Sequence, residues 1–213
     1  MKKRKVSNAV IRRLPRYYQT LDHLYKEGHV RISSSALGNY MGVTASQIRQ
    51  DLSCFGEFGQ QGYGYTIPDL RNEVAEILGM TRGYRAVILG AGNLGRALIK
   101  NFHFKESGFD LLAAFDTDPN IVGTLINGIA VHPLSELDSF VVENKISVGI
   151  LTVPRCAAQN LAQKLVDDGV KGIWNFTNTE IDLTSPDVTV ESIHFADSLL
   201  ALSYLISSPP PEK

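Results

Sequence analysis

Two cysteines and one tryptophan among 213 residues leave little room for thiol or indole chemistry. Cys54 and Cys156 lie far apart, which excludes a disulfide framework and every cysteine-based metal-ligand spacing. No apolar run approaches the ~18 residues of a membrane-spanning helix, and the first residues lack the apolar core of a signal peptide, so the expected location is the cytoplasm, with no membrane partner. His103, His132 and His194 are isolated in the sequence and are expected to be structural rather than catalytic. Net charge is nearly absent too, at −1, but it is unevenly spread. Residues 1–60 hold ten Lys/Arg against four Asp/Glu, whereas residues 81–213 hold ten against fifteen. A basic head on an acidic body suits a polyanionic partner for the head, through release of condensed counterions.

The head reads as helical. Tyr17, Leu21, Leu24 and Tyr25 fall on one face of a helix over 15–27, with Pro15 suited to its first turn and Gly28 to its stop. The serines at 33–35 can cap a short helix through Met41, and Gly42 supplies a turn. Thr44 and Gln47 form a T-x-x-Q capping box opening a third helix over 45–55, with Ile48, Leu52 and Phe55 on its apolar face. Short helix, glycine turn and capped second helix is the pattern of a helix-turn-helix. The opposite face carries Ser46, Gln50 and Ser53, flanked by Gln47 and Arg49, while Asp51 lies toward the core side. Arg and Gln are the side chains that pair bidentately with guanine and adenine edges. Gly56 to Thr66, glycine-punctuated with interleaved aromatics, predicts a β-hairpin wing, and Ile67 to Met80 predicts a helix linking two domains.

The body alternates strand and helix from Arg85. V-I-L-G-A-G-N-L-G-R-A-L at 87–98 reads as a buried strand, a Gly-x-Gly-x-x-Gly turn at Gly90, Gly92 and Gly95, then a helix from about Gly92 to Asn101. Such a turn lets backbone N–H groups and a helix N-terminus hold a pyrophosphate, so Gly90, Ala91, Gly92, Asn93, Leu94 and Gly95 are candidate cofactor residues. The next strand, Leu111 to Phe115, ends in Asp116, 21 residues beyond Gly95, where a Rossmann site places an acid against the ribose hydroxyls. No arginine follows it, which favours NAD over NADP. Strands over 148–153 and 172–176 bracket a helix over 157–168. Ligands lie beyond the carboxyl ends of such strands, so Thr152, Val153, Pro154, Asn175 and Phe176 are candidates for the cofactor wall. Ser192 to Ile206 reads as a helix with apolar residues around much of its circumference, which burial against a second protomer would satisfy.

The chain resembles the Rex family of redox-sensing transcriptional repressors, from about Leu14 to Leu205. The resemblance is densest in R-L-P-R-Y-Y (13–18), S-Q-I-R-Q-D-L-S-C-F-G-E-F-G (46–59), G-Y-G-Y (62–65), G-A-G-N-L-G-R-A-L (90–98), A-F-D-T-D-P (114–119), I-L-T-V-P (150–154) and G-I-W-N-F (172–176). It implies an α/β chain: a winged helix-turn-helix domain over 1–80, a Rossmann NAD(H)-binding domain over 81–190, a domain-swapped dimerisation helix over 191–207 and a disordered tail over 208–213. It also implies a homodimer that binds palindromic double-stranded operator DNA at a low NADH/NAD ratio and leaves it when NADH binds. The site residues carried with it are Arg12, Arg13, Arg16, Ser46, Gln47, Arg49, Gln50, Ser53, Gln60, Gln61, Gly62 and Tyr63 for DNA. Phe195 is carried over as a neighbour of the nicotinamide, beside the turn and Asp116. No catalytic residue and no metal ligand is expected. The chain departs from the family pattern at Gln50, at Gln60 and Gln61, at Asn101 and at His194, which bears on operator preference and redox coupling.

Two other readings use the same residues. A small NAD-dependent oxidoreductase with an appended basic domain would need a positioned acid/base and a substrate pocket, for which the sequence leaves no room. A repressor sensing another nucleotide-bearing metabolite, such as a coenzyme A derivative, would not depend on Asp116.

Overall fold

A computed structural model describes residues 6–59, 63–183 and 185–207. The chain divides into two compact units, Met1–Arg82 and Gly83–Lys213. The tail expected over 208–213, and Gln60, Gln61 and Gly62, lie outside the described residues.

The first unit runs α1 (Asn8–Lys26), β1 (Arg31–Ile32), α2 (Ser34–Met41), α3 (Ala45–Ser53), β2 (Tyr65–Thr66) and α4 (Ile67–Ile77). Helix α1 starts a full two turns before the predicted position because Ser7 caps it, its hydroxyl accepting from the Val10 N–H. Pro15 therefore sits inside the helix, with its neighbour Leu14 buried. Thr44 caps α3 by accepting from the Gln47 N–H at 3.1 Å, but the Gln47 side chain turns to Asp51, so only half of the capping box forms. The tip of the hairpin expected over 56–66, residues 60–62, lies outside the described residues, and β2 does not pair within that segment but antiparallel with β1, Ile32 facing Tyr65. Nor is α4 a linker: Ile67, Leu70 and Val74 are buried with Leu21, Leu24, Leu37 and Ile48 in the core of this unit.

The second unit runs β3 (Tyr84–Leu89), α5 (Asn93–Asn101), β4 (Phe109–Asp116), β5 (Leu125–Ile126), β6 (Ile129–Pro133), α6 (Leu137–Glu143), β7 (Val148–Leu151), α7 (Arg155–Asp167), β8 (Gly172–Asn175), β9 (Thr189–Ser192) and α8 (Phe195–Ser207). Seven strands form one sheet in the order β5-β6-β4-β3-β7-β8-β9, all pairings parallel except β5 with β6. The order reverses between β4 and β7 on either side of β3, which puts the topological switch at the carboxyl end of β3, where ligands bind in such sheets. Two cores result, one on each face, around Phe115, Leu137 and Leu165 and around Ile88, Ile99 and Ile150. Helix α8 contributes to neither: all thirteen of its residues are exposed.

Candidate cofactor and nucleic-acid sites

At the switch point the backbone shapes the site. Gly90 has φ +95°, and a Cβ there would stand 2.8 Å from the Thr152 carbonyl oxygen. A Cβ on Gly95 would stand only 2.0 Å from the Gly90 carbonyl oxygen, so α5 packs onto the turn only because residue 95 has no side chain. Gly92 differs from both: a Cβ there would meet nothing within 4 Å. It opens α5 without a side-chain cap, leaving the first-turn N–H groups available to an anion.

Asp116 closes the turn from the end of β4. Its Oδ2 accepts from the Ala91 N–H at 2.6 Å, and its Oδ1 accepts from the N–H groups of Thr117 and Asp118 at 2.7 and 2.9 Å. A carboxylate offers about four acceptor positions, so capacity for a ribose hydroxyl remains. Thr152 does not turn its hydroxyl to a ligand: Oγ1 lies 2.7 Å from the Gly90 carbonyl and 3.0 Å from that of Leu89, tying β7 to the turn. Arg96 donates to the Ala91 carbonyl at 3.0 Å, a support that the glycine spacing does not reveal. Asn93 is exposed and Leu94 half-buried at the start of α5; Val153 is half-buried and Pro154 exposed at the start of α7.

Asn175 turns its side chain into the protein. It is fully buried, its amide donates to the Thr179 carbonyl and to Ser192 Oγ, and its Oδ1 accepts from the N–H and hydroxyl of Thr177. Every polar atom of the side chain is spent on holding the segment after β8. Phe176 is half-buried, edge-on to Trp174 with ring centroids 4.6 Å apart, and 6.3 Å from the ring of Phe195. Thus the turn, Asp116 and Thr152–Pro154 converge at one strand end, with Phe176 and Phe195 forming a separate aromatic pair.

In the first unit a buried carboxylate organises the helix-turn-helix. Asp51, 1% exposed, accepts from Arg13 Nε at 2.7 Å, Arg13 Nη2 at 2.8 Å, Tyr17 Oη at 3.0 Å and Gln47 Nε2 at 2.7 Å. Burial alone would raise its pKa; the hydrogen bonds from Arg13, Gln47 and Tyr17 outweigh that and hold it below the usual carboxylate range. Burial, with the Asp51 charge beside it, pushes the Tyr17 phenol up. Arg13 and Gln47, expected at the DNA, are thereby committed to Asp51, Arg13 joining α1 to α3 and Gln47 bracing α3 from within. What α3 leaves exposed is Ser46, Arg49, Gln50 and Ser53. Ser53 Oγ donates back to the Gln50 carbonyl, and Arg49 donates to Ser34 Oγ at 2.9 Å. Arg12 and Arg16 are exposed on α1, and Tyr63 is exposed just before β2.

A small helical unit presenting a polar helix, followed by a parallel-sheet nucleotide fold with an open glycine turn, is the layout of a ligand-responsive transcription regulator. A family model of a DNA-binding protein N-terminus matches residues 5–53, and one of a CoA binding domain matches residues 81–179. The redox-sensing transcriptional repressor Rex of Clostridium acetobutylicum is 48% identical, covering 96% of this chain and 95% of its own length. That of Thermoanaerobacter pseudethanolicus is 49% identical, covering 97% and 92%. Among solved structures, the Rex-type repressor RSP in complex with β-NAD+ and operator DNA superposes with a TM-score of 0.90 at 46% identity, covering 95% of this chain and 93% of that one. The same repressor in complex with β-NADH gives 0.88 at 43% identity, covering 95% of both chains. The chain belongs to the Rex family: it is a redox-sensing transcriptional repressor and not an enzyme.

Proposed function

We propose that the Gly90–Gly95 turn and Asp116 hold NADH or NAD through the ADP-ribose half, and that α3 with the segment before β2 binds palindromic double-stranded operator DNA. NADH binding then releases the operator. The observation that carries the cofactor assignment is the contrast among the three glycines: two are locked against the protein and the third, Gly92, is bare. The turn fits a pyrophosphate, and Asp116 retains capacity for a ribose hydroxyl. The two oxidation states share those contacts and differ at the nicotinamide, so only a difference in affinity between two states of the repressor shifts the equilibrium.

A homodimer through α8 completes the reading, and with it a cytoplasmic repressor. Phe195, Leu199, Leu200, Tyr204, Leu205 and Ile206 are each more than 60% exposed, a face that a second copy of the helix or its unit would bury. In the same unit a groove of about 350 Å³ lined by Phe102, Phe104, Ile150 and Trp174 is likewise uncovered. Among the described residues no helix is long and apolar enough to cross a membrane.

Calorimetric titration with NADH and NAD, with and without operator DNA, tests the switch: NADH weakens operator affinity and NAD does not. Operator binding indifferent to both nucleotides overturns it. Replacing Asp116 with Ala separates this from a coenzyme A sensor, since ribose recognition then predicts a clear loss of NADH binding. Gln50, exposed on α3, is proposed as a base contact to adenine, so Gln50→Lys shifts operator preference toward guanine. His194 stands at the root of α8, with Nδ1 3.4 Å from Asn178 Oδ1 and Nε2 3.7 Å from Glu180.

A further inference from the structure

Carboxylates neutralise much of the basic balance of the first unit. Arg13 is paired with Asp51, and both Arg71 and Lys26 with Asp22. Arg31 and Arg49 have no ion pair among the described residues, and Arg49 lines a concavity. It has a volume of about 730 Å³ and is lined by Ser33, Ser34, Arg49, Ser53, Glu57 and Tyr65, among others. Arg49 does not extend straight out from α3. Its Nη1 reaches across to Ser34 Oγ at 2.9 Å, which brings the guanidinium to the α2 side of the concavity. Arg31 lies on β1, two residues before Ser33 of that lining, exposed and stacked 5.8 Å from the ring centroid of Tyr63. The ring fixes the guanidinium without cancelling its charge, unlike a carboxylate.

We propose that Arg31 and Arg49 are a two-point clamp for DNA backbone phosphates: Arg49 positions the recognition helix rather than reading a base, and Arg31 is a second backbone contact beside Tyr63. The inference rests on the DNA-binding reading of α3. Two fixed arginines that keep most of their donors free, one on α3 and one on the neighbouring strand β1, suit a phosphodiester strand. Glu57 is the opposing charge in the lining, so the same clamp predicts an effect of opposite sign there.

The test is operator affinity against salt for Arg31→Gln, Arg49→Gln and Glu57→Gln in the full-length chain, with a shuffled duplex alongside. Each arginine variant weakens both duplexes by the same factor, roughly threefold to tenfold, and lowers the slope of log K against log salt by about 2, one phosphate contact in each protomer of the dimer. Arg31→Lys and Arg49→Lys keep the wild-type slope, and Glu57→Gln tightens both duplexes. An unchanged slope in the glutamine variants, or a loss confined to the operator and traceable to one base pair, overturns the clamp. Should Arg49→Gln lose its fold, Ser34→Ala keeps the charge and must keep the slope, and Arg31→Gln then decides alone. Wild-type protein that binds neither duplex overturns the DNA-binding reading itself; wild-type binding with unaltered slopes in the variants overturns only the clamp.

Discussion

The two units build their sites from different materials. In the second unit the backbone is the instrument: glycines let strand end and helix approach, N–H groups line the turn, and Asp116 is held by three backbone N–H groups, one from the turn and two from the residues that follow it. In the first unit side chains hold side chains, four donor contacts converging on one buried carboxylate before any group faces outward. A backbone site is lost when an atom is added to it, and a side-chain site is lost when one is removed.

The largest expected effect follows from removal. Asp51→Ala leaves Arg13, Tyr17 and Gln47 without their acceptor, at a cost of about 3–5 kcal/mol for breaking a buried pair, toward the lower end because Arg13 is partly exposed. Chemical denaturation reads this as unfolding of the first unit, while NADH titration of the second unit stays at the wild-type affinity. An equal loss in both would break the division between the units.

Addition comes next. Gly95→Ala puts a Cβ against the Gly90 carbonyl and costs about 1–3 kcal/mol of overpacking, seen as a lower thermal midpoint together with weaker NADH binding. Gly92→Ala adds the same atom in open space, at ordinary φ −70°. Its stability falls by at most about 1 kcal/mol, the cost of alanine at a helix N-cap, and nucleotide affinity falls out of proportion to that. Matching behaviour of the two variants would remove the case for Gly92 as the pyrophosphate approach.

Acid separates the units more gently. Burial opposes ionisation of Asp51 and Asp22, but hydrogen bonds from Arg13 and Gln47, and from Lys26 and Arg71, win, and both pKa values fall below the ordinary range. Their stabilisation is present above the unfolded carboxylate value of about 3.9 and is lost as pH drops through the folded values, so a pH titration of unfolding shows the first unit failing there. The smallest effect has the opposite sign. Burial and then the neighbouring Asp138 raise the Asp168 pKa, and its Oδ2 is buried without a hydrogen-bond partner among the described residues. A raised carboxylate stabilises only at low pH and loses that contribution as pH rises, so Asp168→Asn raises the midpoint at pH 7 by less than about 1 kcal/mol.

Legibility in the sequence followed the same divide. The glycine spacing, the strand before it and Asp116 were readable because backbone conformation and close approach restrict residue type at fixed positions. Short strands β5, β6 and β9 and helix α6 carried no periodicity long enough to stand out, and they exist because the central strands offer them an edge or a face. Asn175 looked like a strand-end ligand group, yet its burial with Thr177, Thr179 and Ser192 consumes it. Arg31 gave no signal in a three-residue apolar-basic run; only its placement beside Tyr63 distinguishes it.

By itself the sequence determined the order of the two units, the position of the nucleotide turn and the polar face of α3, because local periodicity, capping and glycine geometry act over a few residues. Tertiary structure alone decided which polar groups remain to act. Arg13 and Gln47 were drawn inward because a buried carboxylate must be satisfied, and Thr152 and Asn175 because the segments leaving the sheet needed partners for their carbonyls and N–H groups.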